Sequence, residues 1–204
     1  MNRLILAALV GFPVAAFAAY PNQDPDWPCQ QRLVPEVTAA TFWNGPLPMG
    51  EAPSDPRIDR LVNAVAPRDV SLDDAKARIA EFLKTVKPKE RAAIVPAAFV
   101  AIVAEVNRER SDVIGSIKDL TRRQRDIAAL VAKADSDLAA IPETAQGEDA
   151  AKRDEALQRK TFLARTFEDT RKTMRYACDV PAQLDARLGA IAQQMQANVA
   201  GGGS

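Results

Sequence analysis

The sequence predicts an all-α protein: a long antiparallel, coiled-coil-like helical hairpin plus two short helices, with a Pro-rich extended N-terminal arm. Three observations predict it. From Phe99, positions spaced 4,3 run through Val103, Val106, Arg110, Val113, Ile117, Leu120, Gln124, Ile127, Val131, Ala134 and Leu138 to Ile141, and eleven of these thirteen are apolar. That is the seam of a coiled coil. Beyond the turn-forming "PETAQGED", a second 4,3 pattern carries Leu163, Phe167, Thr170, Met174, Ala177, Pro181, Leu184, Leu188, Ile191 and Met195. Residues 19–56 hold eight of the fourteen prolines and both tryptophans, and show no sustained period.

The elements follow in order. "MNR" and the apolar run "LILAALVGFPVAAFA", closed by Ala16-Phe17-Ala18, read as a secretory signal peptide over 1–18. A retained membrane anchor is the alternative, but a span wants about 20 apolar residues, and Pro13 interrupts this run. Residues 19–55 read as the arm, with turns at "NGP" and "MGEAP", because each proline drives its predecessor toward extended backbone. The helical domain then covers 56–199. Its first helix takes Asp55 as cap and Pro56 at the first helical position, buries Ile58, Leu61, Val62 and Val65, and ends at Pro67. Ser71 and Asp74 open the second with a relative of the capping box, and its apolar face is Leu72, Ala75, Ile79, Phe82, Leu83 and Val86. The uncharged stretch 92–104 predicts a buried central helix. The long first rod is expected to run about 65 Å, with Pro96 kinking it or marking its start. Asp179 and Pro181 predict a break in the second rod. Residues 200–204 read as a flexible tail or an expression remnant.

Cys29 and Cys178 are the only cysteines. In an exported chain an even count reads as a disulfide, with two free thiols or cross-linking between chains as the alternatives. Trp27 and Trp43, on an arm without a core of its own, are expected to anchor it to the helices; a pocket framed by the two rings is the other reading.

Composition limits the chemistry. Twenty-seven basic and 27 acidic residues balance, so no general hold on nucleic acid or an anionic membrane is expected. The sequence contains no histidine, which removes His-dependent nucleophilic triads, ordinary His-containing zinc sites and histidine-ligated haem. Cys-x-x-Cys, G-x-G-x-x-G and P-loop motifs are absent as well. The expectation is a non-enzyme without metal or cofactor. The candidate interaction residues are Arg110 and Gln124, polar interruptions of the seam, and the basic "RRQR" at 122–125 with Arg122 and Arg123. Arg110 and Gln124 either fix register or drift outward; the basic cluster is either a solvated face or a docking patch for an acidic partner.

Two resemblances add to this. "DPDWPCQQRLVPEVTAATFWNGP" resembles the start of the mature region in uncharacterised exported helical proteins of alphaproteobacteria, a group that implies no activity. "LTRRQRDIAAL" places Leu120, Thr121 and Gln124 in an L-T-x-x-Q arrangement similar to the motif of the Spy/CpxP family of periplasmic helical stress proteins. That resemblance implies a helix-capping threonine, a glutamine closing the box, and a chaperone or stress-signalling role. The function expected from the residues is a periplasmic structural or interaction protein that docks a protein partner or a second copy through its coiled-coil surface, with no membrane span once the leader is removed.

Overall fold

The computed structural model describes residues 24–49 and 54–200, with side chains through 197. The expected signal peptide, residues 19–23, most of "MGEAP" and the terminal "GGGS" lie outside the described residues. Four α-helices form: α1 (Pro56–Val65), α2 (Leu72–Thr85), α3 (Arg91–Ala139) and α4 (Glu148–Ala200). No strand occurs among the described residues.

The short helices start where their caps dictate. The Asp55 carboxylate accepts from the Arg57 amide at 2.8 Å, with Pro56 in the first turn. The Ser71 hydroxyl accepts from the Asp74 amide at 3.0 Å, while the Asp74 side chain turns back onto that hydroxyl at 2.7 Å rather than onto the backbone. All four predicted apolar residues of α1 are buried, as are Ala75, Ile79, Phe82, Leu83 and Val86 around α2; Leu72 is half-buried.

Both long helices outrun their proline signals. Pro96 neither starts α3 nor ends it, since the helix begins five residues earlier at Arg91. Nor does Pro181 break α4, which runs 53 residues from Glu148. Each proline withholds one N–H and so costs one i→i−4 bond, but both rings are buried, and packing on each side holds the helix through the defect. The rods are about 74 and 80 Å long. They run antiparallel through a turn in which Gly147 takes φ 61°, a conformation that suits a residue without Cβ. Every seam position expected on either rod is buried or half-buried.

Burial divides the hairpin. At its base, α1 packs on α2 and α3, and α2 on α4. Here Phe99, Ile102, Val106, Leu184, Leu188 and Met195 are sealed in one core. A second, smaller cluster of Trp27, Cys29, Ile114 and Ile117 lies further up the rods. Beyond Ile117 on α3 and before Ala177 on α4 neither cluster has a member, and the two helices cover each other only in part. On the outer faces Glu155 pairs with Arg159 at i,i+4 (3.6 Å), while Asp149 takes Lys152, Arg171 takes Glu168 and Lys172 takes Asp169, all at i,i+3.

Candidate functional site: the arm in the groove of the hairpin

An extended segment with no strand beside it must find partners for its backbone groups elsewhere. Proline reduces the donors to be satisfied, and side chains of the two rods meet groups at Val34, Val37, Phe42 and Asn44. Nearest the base, one 3-10 turn (Ala39–Thr41) interrupts the extended arm and turns Phe42 and Trp43 onto the core. Trp43 stacks on Phe99 with ring centroids 5.1 Å apart. Gln196 of α4 brackets this turn, accepting from the Asn44 amide at 2.9 Å and donating to the Phe42 carbonyl at 3.3 Å. Gly45 has φ 121°, so the "NGP" turn needs its glycine.

Asn107 of α3 comes next. Its side-chain amide accepts from the Val37 N–H at 3.0 Å and donates to the Val37 carbonyl at 2.8 Å, the exchange a neighbouring strand would offer. One turn on is Arg110, only 4% exposed. Its guanidinium donates to the Val34 carbonyl (2.8 Å), the Pro181 carbonyl (3.2 Å) and the Asp185 carboxylate (2.6 Å). One side chain thus joins the arm, α3 and α4. The seam interruption points inward, and it fixes the position of the arm as well as of the paired helices.

The leading end of the arm is covalently held. Cys29 and Cys178 are disulfide-bonded across 149 residues. Trp27 is buried beside the bond, with its indole N–H on the Gln31 carbonyl at 2.8 Å, and the Gln31 amide donates to the Cys178 carbonyl. Asp24 forms a short turn by accepting from the Asp26 amide at 2.9 Å and pairs with Lys118 at 2.8 Å. Asp26 meets Arg122 at 2.6 Å and also Arg125. Arg125 and then Arg122 hold the Asp26 carboxyl below the usual aspartate value, and Lys118 does the same for Asp24. The arm therefore runs antiparallel to α3 and parallel to α4, in the groove between them. From Phe99 to Arg125 it follows about 39 Å of α3.

The candidate residues are placed differently from the sequence expectation. Arg110, Arg122 and Gln124 are engaged within the chain, and Arg123 alone of the four is left exposed without an ion pair among the described residues. Neither a bare solvated face nor a vacant docking patch describes the basic cluster: Arg122 and Arg125 take the chain's own Asp26, beside Asp24 on Lys118. The L-T-x-x-Q residues do not take the roles their resemblance implies. Thr121 lies inside α3 and donates to the Ile117 carbonyl at 2.9 Å, and Gln124 reaches the Phe167 carbonyl of α4 at 3.1 Å. The two tryptophans sit in separate clusters, so no pocket lies between them.

Sequence reasoning missed Asn107, Gln196 and Arg187. Arg187 donates from α4 to the Val65 and Val70 carbonyls at 2.8 and 2.7 Å, capping the end of α1. Burial pulls its guanidinium below the usual arginine value, with Glu109 and Asp69 opposing. The available signal was their position: polar residues next to seam residues, where a purely hydrophobic pattern assigns them to solvent.

Among the described residues, no group of three His, Cys, Asp or Glu side chains is placed to hold a metal, and no helix is long and apolar enough to cross a membrane. The fold and site define an arm-clasped helical hairpin. No protein-family model, curated protein or solved structure matches the chain.

Proposed function

We propose that this is a non-catalytic interaction protein of the periplasm that docks a protein partner through the distal half of its hairpin. The observation that carries this reading is the incomplete burial of that half. Beyond the arm, the two rods are left to cover one another, and Leu130, Leu157 and Phe162 stand exposed on them, Phe162 to 68%. A hollow of about 200 Å³ opens near the tip, lined by Ala134, Ile141 and Ala156 and also by Asp137, Lys152, Glu155 and Arg159. A rod projecting from a well-packed, disulfide-pinned base presents such a surface at low entropic cost on binding. The disulfide suits an oxidising compartment.

A photo-crosslinking residue placed at 130, 157 or 162 of the full-length protein in cells tests the reading. Discrete envelope adducts are expected, weakened at least tenfold when Phe162 and Leu130 are both changed to Ala. Absence of adducts at all three sites, with the purified protein monomeric throughout, would refute it.

A further inference from the structure

The leading end of the arm sits on the helices as a ligand would. Residues 24–33 form no secondary-structure ladder with the hairpin. They offer two carboxylates, Asp24 and Asp26, to three cations on one stretch of α3, and an aromatic ring to an apolar bed formed by Ile114 and Ile117. The rest of the arm is fastened independently, by Asn107 at Val37, Gln196 at Phe42 and Asn44, and the Trp43–Phe99 stack. The leading end can therefore leave while the base stays closed.

We propose that the α3–α4 groove beneath residues 24–33 is a recognition site for an extended peptide segment of a partner, one carrying two carboxylates at i and i+2 followed by an aromatic residue, and that the arm occupies this site in cis until its disulfide is opened. Charge complementarity selects the occupant: Lys118, Arg122 and Arg125 converge on the Asp24–Asp26 pair. The paired helices supply the apolar floor, in the manner of a groove that takes an extended chain by side-chain pockets. Opening requires a dithiol reductant. Its first thiolate attacks one sulfur of the Cys29–Cys178 bond and expels the other as a thiolate. Its second thiolate then displaces the mixed disulfide. The reductant ends oxidised as a disulfide, and both cysteines end as thiols after taking up two protons. The groove and the exposed distal face are separate surfaces, so either can fail without the other.

The test uses a fluorescent peptide of residues 24–36 with serine at the Cys29 position. It is titrated into oxidised wild type, dithiol-reduced wild type, and a full-length variant whose residues 24–33 are replaced by Gly/Ser and Cys178 by Ser. Saturable binding is expected to the last two, at least tenfold tighter than to oxidised wild type. It should fall at least tenfold when both peptide aspartates become Lys, or when R122E and R125E are added to the Gly/Ser variant. Failure of that variant to fold or to bind the peptide overturns the site, as does equal binding of the charge-reversed peptide. Pairing of the vacated groove with a second copy's arm in place of the peptide overturns the partner assignment. Binding by the Gly/Ser variant without binding by reduced wild type overturns the disulfide gate.

Discussion

Arg110 shows how one polar residue in an apolar seam can be decisive without being a net source of stability. Removing a guanidinium from water costs several kcal/mol, which its charge-assisted bonds inside the protein must first repay, so the intact group contributes little net stability. Truncation is not neutral, because Arg110→Ala leaves the carbonyls of Val34 and Pro181 without this donor. It should destabilise the protein by about 3 kcal/mol in urea unfolding, whereas Arg122→Ala, at a half-exposed ion pair, should cost much less. A reversed ranking would show that Arg110 is not the joint between arm and rods. Asp26 makes a second prediction at this scale. Its carboxyl is depressed in the folded state. It therefore contributes stability fully above the unfolded value of about 4, and that contribution fades as pH falls through the lower folded value. Trp27 fluorescence should report loosening of the arm's leading end below about pH 4, and Asp26→Asn should reduce that dependence, leaving the part that Asp24 contributes. A transition unchanged in Asp26→Asn would place the acid sensitivity elsewhere.

The arm is the element with the least intrinsic structure and the most varied fastening. On the chain-entropy view, closing a loop of 149 residues is worth up to about 5 kcal/mol. The paired change Cys29→Ser with Cys178→Ser should lower unfolding stability toward that ceiling. The loss should also be local: Trp27 becomes solvent-exposed, while Trp43 keeps its stack on Phe99. Single-tryptophan variants, read by quencher accessibility, separate the two; equal exposure of both rings would mean the arm releases as one unit. The proline-bearing helices carry a related lesson. A proline in a helix interior costs about 3 kcal/mol in isolation, yet α3 and α4 continue through Pro96 and Pro181. Burial of apolar neighbours such as Val95, Phe99 and Leu184 outweighs that local cost at both sites.

For the whole molecule, the division between a packed base and a projecting rod leads to a separable design. Both core clusters, the disulfide and the arm clamp lie at or below Arg125 on α3 and at or beyond Ala177 on α4. Deleting residues 128–163 and closing the ends with a short turn should leave cooperative thermal unfolding and the disulfide intact, while abolishing the distal crosslinks. If the shortened chain fails to fold, the tip is needed for stability, and the exposed rod is then no independent surface.

The sequence by itself determined the elements. Heptad spacing fixed both rods and their seams, Asp55 and Ser71 set two helix starts, and an even cysteine count in an export-like chain implied the bond that pins the arm. These signals are legible because each depends on residues close together in the chain or on a simple period. Tertiary structure decided whether the prolines would interrupt the rods, and which polar residues would hold the arm. Both outcomes depend on groups brought together from 70 or more positions apart, such as Asn107 on Val37 and Arg110 on Val34. Local propensity has no access to those distances, so a buried guanidinium and a solvated one look alike until the chain is folded.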